Sequence, residues 1–425
     1  MITTPHLAIA GGPPVRTASW PAWPVWRQST IDAVTGAVRS GRWTISGPAV
    51  PLEPYERRFA RAFAEYTGTA YAVPTANGSS ALLIAFEALG IGPGDEVIVP
   101  VLTWVATASA VLRVNATPVF VDVDRDTLCM SVELARAAIT PRTAAIVPVH
   151  LHHSMADMDA LLALSAETGL PIVEDASQAH GAIWKGRRAG SMGRLGTFSF
   201  QQSKVLTGGE GGAVVTDSPE LFARLQQLRA DSRTWTDEPR ENDGMQLCAA
   251  GGVMGANYCL SELHAAILLE QLSCLDEALA TRAANAEYLD QALARIDGVT
   301  PLRQPPGLDR RTVYEYLVRI DTAAFAGQPV ERIGDALRAE LGLRFYPPDA
   351  PLHRSPLYQP LTKKRFLSGP DRARAIEPSA CRFPVAEGAS RGAIVCHHAA
   401  FLGTRQDMDD IARAFGKVRR HASEL

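Results

Sequence analysis

Between residues 71 and 216 the sequence alternates short apolar runs with amphipathic stretches, and this rhythm limits the fold more than any other feature. Apolar runs fall at 71–74, 96–100, 118–123, 145–149, 171–174, 197–200 and 213–216, and helical periodicity fills 81–89, 105–114, 132–139 and 158–168. Strands apolar on both faces and separated by helices predict a mainly parallel sheet covered by helices on both faces, an α/β architecture. This large domain is expected at 41–274. A helix at 54–66 leads into it. A helix at 219–229, a polar loop at 231–252 and a long helical stretch at 261–293 with a break near Asp276 close it. A strand at 314–320, a helix at 330–341, a Pro-rich run at 344–356 and a last helix at 402–418 predict a smaller C-terminal α+β domain at 275–425. Residues 1–40 read as an arm with one short helix at 30–38. Its Trp20, Trp23 and Trp26 must be buried on the body or on a partner chain.

Four stretches of the large domain carry chemistry. Phe198–Gly212 reads Phe-Ser-Phe-Gln-Gln-Ser-Lys-Val-Leu-Thr-Gly-Gly-Glu-Gly-Gly, with Lys204 between apolar runs and ahead of four glycines. Such a lysine is poorly placed as a solvated charge and well placed as an amine that loses its proton and attacks a carbonyl. The ordinary alternative is a surface lysine on a Gly-rich hairpin. Ser79 and Ser80 open the helix after the first strand, where backbone amides and hydroxyls hold a phosphate, although a plain helix cap uses the same residues. Glu174-Asp175-Ala176-Ser177-Gln178 lies at the carboxyl end of a buried strand, where open α/β sheets bind ligands. A carboxylate there pairs with a protonated ring nitrogen, or serves as a cap or a structural ion pair. Trp104 follows another strand and can stack on a flat heterocycle or simply fill the core. Taken together these four ask for a planar, phosphorylated, nitrogen-containing carbonyl cofactor. Pyridoxal phosphate (PLP) meets each requirement, with Lys204 as its covalent anchor and Asp175 on its ring nitrogen.

Composition narrows the alternatives. The formal net charge of -3 over 425 residues leaves no basic footprint for nucleic acid. No apolar run reaches bilayer length, and residues 1–20 lack a charged start followed by an apolar stretch, so neither a membrane span nor a signal peptide is expected. The six cysteines show no Cys-x-x-Cys spacing, which argues against a zinc site and a disulfide framework and for a reduced, cytoplasmic protein. His150, Glu174, Asp175 and His180 spread over two strand ends and make no convincing metal set. No metal is expected.

Through these stretches and the runs around them, the chain resembles the DegT, DnrJ, EryC and StrS sugar aminotransferase family over nearly its whole length. The runs are Asn77-Gly78-Ser79-Ser80-Ala81-Leu82, residues 92–100, Glu174 through Gly181, Phe198 through Gly212, and Gly255-Ala256-Asn257-Tyr258. The resemblance implies a fold-type-I PLP-dependent transferase. It implies Lys204 as the Schiff-base lysine, Asp175 on the pyridine nitrogen, Gln178 beside the phenolic oxygen and Trp104 stacked on the ring. Ser79, Ser80 and Ser199 are implied as phosphate ligands. Asn257 is implied to reach the phosphate in the neighbouring subunit, and hence a homodimer with shared active sites. The turn has Ser-Ser where many members have Gly-Thr, and a hydroxyl is kept.

Further runs, among them Trp43-Thr44-Ile45-Ser46-Gly47, residues 100–108, Leu228 through Arg233 and Tyr346-Pro347-Pro348, are similar to one branch of the family. That branch moves the amino group of L-glutamine to a cyclitol ketone during assembly of the aminocyclitol core of aminoglycoside antibiotics. It implies two half-reactions in which Lys204 acts as base and acid, and a second acceptor that already bears an amine. The acceptor is neutral and rich in hydroxyls, so polar side chains are expected around it, with His152, His153 and Tyr346 as candidates. The donor carboxylate needs a cation, for which Arg229, Arg233 and Arg344 stand equal. Competing readings are an aminotransferase for nucleotide-linked keto sugars, a 3-amino-5-hydroxybenzoate synthase and a non-catalytic sensor of PLP or a cyclitol.

Overall fold

The computed structural model describes residues 6–47, 53–236, 246–367 and 370–425. Its central sheet has seven strands: β1 (Tyr71–Thr75), β2 (Glu96–Pro100), β3 (Thr117–Val121), β4 (Thr143–Ile146), β5 (Val173–Asp175), β6 (Leu195–Ser199) and β7 (Gly212–Thr216). They lie in the order β3-β2-β4-β5-β6-β7-β1, with β4 and β5 joined through the parallel bridges Ile146↔Ile172 and Val149↔Asp175. All neighbours are parallel except the two pairs that include β7. β7 follows β6 with no crossover helix between them, and the chain returns as an antiparallel neighbour. The sheet is therefore mainly parallel, as the sequence rhythm requires.

Alternate residues of each strand feed two apolar layers. Val73, Val97, Val99, Ala145, Val173, Leu195 and Val214 face one side. Ala72, Ile98, Ile146, Phe198, Ala213 and Val215 face the other. Burial of both faces explains why the strands read as continuous apolar runs.

Helices α1 (Gln28–Arg39), α2 (Tyr55–Thr67) and α4 (Ala106–Arg113) fall close to their expected spans. Helix α3 (Gly78–Ala88) starts three residues earlier than expected. Asn77 accepts the Ser80 N–H at 2.8 Å, and the Asn77 N–H donates to Ser80 Oγ at 3.2 Å. This reciprocal cap pulls the polar turn into the first helical turn. The break expected near Asp276 lies at Cys274, between helices Glu262–Ser273 and Leu275–Leu293. The loop expected at 231–252 is partly strand, because Arg233–Trp235 pairs with Leu247–Ala249. Residues 237–245 of that loop lie outside the described residues, as does the start of the arm at 1–5.

A second core joins a three-stranded antiparallel sheet (Val299–Pro301, Glu315–Ile320, Ala393–His397) to helices Leu275–Leu293, Val330–Leu341 and Arg405–Arg420. Leu289, Tyr316, Val318, Leu337, Phe345, Ile394 and Phe415 fill it. Helix Arg405–Arg420 begins after residue 402 because Thr404 caps it through Asp407. In the arm, the Trp20 indole donates to the Leu341 carbonyl at 2.7 Å and the Trp23 indole to the Gln202 carbonyl at 2.8 Å. Trp26 and Trp43 stay 67% and 58% exposed. No helix among the described residues is long and apolar enough to cross a membrane.

Candidate active site

The carboxyl ends of β2, β5 and β6, the loop after β4 and the start of α3 open onto one cavity of about 460 Å³. Lys204 lies in the loop between β6 and β7, half-buried at the cavity wall. Among the described residues its Nζ makes no hydrogen bond or ion pair, and it sits 4.1 Å from the centroid of the Tyr314 ring. Burial pushes its ammonium down to about 8, against the opposing pull of Asp175, Glu315 and Asp349. An ammonium so lowered gives up its proton far more readily than an exposed lysine does, and the neutral amine is the form that nucleophilic attack requires.

Asp175 ends β5, and 5% of it is exposed. Its Oδ2 accepts from Thr107 Oγ1 at 2.9 Å and its Oδ1 from the Ser177 N–H at 3.2 Å. Two donors fix the carboxylate and leave lone pairs for a cationic ring nitrogen. Gln178 Oε1 accepts the His152 N–H at 2.7 Å, so its amide nitrogen is the end left to donate. Trp104 lines the cavity, half exposed, after β2.

The start of α3 is shaped by two glycines. A Cβ on Gly78 would lie 2.7 Å from Ser199 Cβ, and one on Gly212 would lie 2.5 Å from the Asn77 carbonyl oxygen. Their absence lets β6 and β7 press against the helix terminus, where the first amides have no partner within the helix. Gly78, Ser79 and Ser199 line the cavity together. This cradle fits a phosphate, and with Asp175, Gln178 and Lys204 the lining fits PLP as a whole.

Several expected residues lie elsewhere. Ser80 is the first correction: it is buried and its hydroxyl donates to the Asn77 carbonyl at 2.8 Å, because the third helical position points back at the cap. His153 is the second. Its Nε2 meets the Leu317 carbonyl at 3.2 Å, its ring stacks on Tyr316 at 5.1 Å, and burial holds its imidazole well below the ordinary value. It belongs to the contact between the large sheet and the C-terminal one. Asn257 is exposed and outside the cavity of its own chain, with Oδ1 accepting the Cys259 N–H at 3.2 Å. Arg229 is fully buried on Glu56 and the Pro74 carbonyl, so it is not free for a donor carboxylate. Arg233 is held by Ser46, Asp231 and the Ala230 carbonyl. Arg344 is exposed, its guanidinium 4.8 Å from the Tyr346 ring centroid. Glu174 accepts from His150 and from the amides of Gly190, Met192 and Gly193, which accounts for it structurally and not as a metal ligand.

His152 and Tyr346 do line the cavity, and both meet Glu315, which the sequence reading missed. His152 Nδ1 lies 3.0 Å from Glu315 Oε2, and the Tyr346 hydroxyl donates to Oε1 at 2.8 Å. Burial alone would raise the Glu315 carboxyl, but these bonds and Lys204 hold it below its ordinary value. Asp349, also in the lining, is pushed up by burial and by Glu315.

The family model of the DegT/DnrJ/EryC1/StrS aminotransferases matches residues 25–396. The L-glutamine:2-deoxy-scyllo-inosose aminotransferase of Streptoalloteichus tenebrarius is 49% identical over 420 residues, covering 99% of each chain. The protein of the same name from Streptomyces fradiae is 49% identical over 419 residues, again covering 99% of each. Among solved structures, 3-amino-5-hydroxybenzoic acid synthase superposes with a TM-score of 0.80 at 33% identity, over 95% of this chain and 99% of that one.

Proposed function

The chain belongs to the DegT/DnrJ/EryC1/StrS aminotransferase family, and from that premise we propose that it moves the amino group of L-glutamine to the ketone of 2-deoxy-scyllo-inosose, a step toward 2-deoxystreptamine. It is an aminotransferase, and its cofactor is PLP. When bound, PLP supplies a carbonyl that exchanges amines and a ring that withdraws electrons from the adjoining carbon. The chain supplies the rest. Lys204 anchors the cofactor and, once its Nζ is free, takes a proton from one carbon and returns it to another. Asp175, oriented by Thr107, keeps the ring nitrogen protonated. Gln178 donates to the phenolic oxygen, Trp104 covers the ring, and Ser79 and Ser199 hold the phosphate with the α3 amides.

One observation carries the choice of acceptor: the cavity is lined by Asp175, Glu210, Glu315 and Asp349 but, apart from Lys204 and the imidazole of His152, by no basic side chain among the described residues. Such a wall suits a neutral polyol, bound through hydroxyls at His152 and Tyr346. It also suits an acceptor that already carries an ammonium, such as an amino-dideoxy-scyllo-inosose. The protein works as a cytoplasmic homodimer in which Asn257 of each chain serves the cavity of the other. In support, Asn257 is exposed away from its own cavity, and Trp26 and Trp43 leave apolar surface uncovered. The chain divides into the arm 1–40, the cofactor domain 41–274 and the domain 275–425.

The test is a two-step titration of the PLP-loaded protein. L-glutamine should abolish the absorbance of the lysine-bound cofactor, and 2-deoxy-scyllo-inosose should restore it, with the cyclitol amine seen by mass spectrometry. Loss without recovery refutes the cyclitol acceptor. Dehydration and aromatisation of the acceptor would favour 3-amino-5-hydroxybenzoate synthase chemistry. No response to any amino acid refutes amino transfer.

A further inference from the structure

Lys204 Nζ has a neighbour that is neither a carboxylate nor a hydrogen-bond acceptor. The Tyr314 ring lies with its centroid 4.1 Å from Nζ, close enough for the negative face of the ring to attract an ammonium. Tyr314 is fixed from two directions. Its N–H donates to the His152 carbonyl at 3.0 Å, and its hydroxyl meets Ser203 Oγ at 3.2 Å, one residue before the lysine. The ring thus spans from the loop after β4 to the lysine's own loop, and it cannot swing away without breaking one of these contacts.

Other groups face the amine from the remaining elements. They are Asp175 at the end of β5, His180 just beyond it, Glu315 on its strand, Asp349 in the Pro-rich segment and His398 after the last strand. Burial keeps both imidazoles below their ordinary value, so the three carboxylates are the charges that act on Nζ. They act at longer range than a hydrogen bond. The ring face is the one close partner the amine has among the described residues.

We propose that Tyr314 is a positioning residue for Lys204, its ring face being the docking place of the protonated Nζ whenever that amine is free. A lysine that takes a proton inside a half-dry cavity needs somewhere to carry the charge. Without the ring, burial drives the proton off earlier and the base is weaker. The property that matters is the π face, so phenylalanine replaces tyrosine and an aliphatic side chain does not. This rests on Lys204 being the reactive amine, and not on which ketone accepts the amino group.

The experiment uses cofactor-free protein and follows modification of Lys204 by dinitrofluorobenzene against pH, with position 204 quantified by peptide mass mapping. Tyr314→Phe should keep the wild-type midpoint. Tyr314→Leu should lower it by about one pH unit, the size expected for a desolvated cation–π contact. In the loaded enzyme, the glutamine half-reaction of Tyr314→Leu should lose its rate maximum while its KM for glutamine holds. If Tyr314→Leu does not fold, Tyr314→Met carries the same expectation. An unchanged midpoint in the aliphatic variant overturns the proposal, and so does an equal fall in the phenylalanine variant. If position 204 shows no lowered midpoint in the wild type, the assignment of the reactive lysine falls with it, which separates that failure from one confined to Tyr314.

Discussion

Replacing Gly78 by alanine tests the phosphate cradle with a single methyl group. The new Cβ would lie 2.7 Å from Ser199 Cβ, 3.1 Å from its Cα and 3.2 Å from its Oγ. Ser199 is the last residue of β6 and is paired with Gly212 of β7, so its backbone has little room to yield. Carbon atoms prefer about 3.5–4.0 Å, so the start of α3 must retreat by about 1 Å. A hydrogen bond stretched from about 2.9 Å by that amount is lost. One bond to a charged group contributes about 1.5–3 kcal/mol, and its loss weakens binding by about 10- to 150-fold. The assay is a fluorescence titration of cofactor-free protein with PLP and, in parallel, with pyridoxal, which has no phosphate. Gly78→Ala should weaken PLP by that factor and pyridoxal much less, with the far-UV spectrum unchanged. Wild-type affinity for PLP refutes the cradle, and so does an equal loss for both ligands.

Ser79 and Ser80 should separate in the same titration: Ser79→Ala weakens PLP, whereas Ser80→Ala leaves its affinity within about twofold and costs about 1 kcal/mol of stability in urea, the size of a lost cap. Arg229→Met strands Glu56 as an unpaired buried carboxylate and should destabilise by about 3–5 kcal/mol, while the folded fraction keeps its KM for glutamine. Glu315→Gln should raise the KM for the ketone more than it lowers kcat, because His152 and Tyr346 use separate carboxylate oxygens and an amide offers only one acceptor, so one of the two loses its partner. Acid should destabilise the protein early. His180 is held down to about 3 by burial, so below its unfolded value near 6.5 the unfolded chain binds the extra proton. Its stabilisation is complete above 6.5 and falls as pH drops toward 3, by at most about 1.4 kcal/mol per pH unit, read from urea midpoints.

The parts legible in the sequence share one property: their chemistry sits in a contiguous run whose local structure is also strongly signalled. Lys204, Asp175 and Trp104 each follow an apolar strand, and the carboxyl ends of parallel strands must meet along one edge. Ser79 and Ser80 show the limit. Adjacent residues on a helix point about 100° apart, so a helix that starts at Gly78 and not near Ala81 decides which hydroxyl reaches the cavity. Glu315 and Tyr314 were invisible for a different reason. They lie at the start of an ordinary-looking strand, and only the fold of residues far downstream carries them to His152 and Lys204. Arg229 stood beside Arg233 and Arg344 as a donor-binding candidate because charge is readable in a sequence and burial against Glu56 is not.

The N-terminal arm and the C-terminal domain converge on the loop that carries Lys204, which explains why so much sequence outside the sheet is needed to place one amine. The peptide before Lys204 is held by its carbonyls: Gln202 accepts from the Trp23 indole at 2.8 Å, and Ser203 lies 2.9 Å from His398 Nε2. The two holding side chains also touch, with Trp23 and His398 rings edge to face at 4.6 Å. Burial keeps His398 below its ordinary value, so it meets the carbonyl as a neutral ring whose Nε2 carries the proton. On the far side of the loop, Phe200 takes the Thr207 hydroxyl at 3.0 Å and the Gly208 N–H at 3.1 Å, closing it into a compact turn. A loop of glycines would by itself sample many conformations and place Nζ loosely. Fastening it from a tryptophan of the arm and a histidine of the C-terminal domain makes its geometry depend on the whole chain being folded, so the amine acquires its lowered basicity only when both are seated.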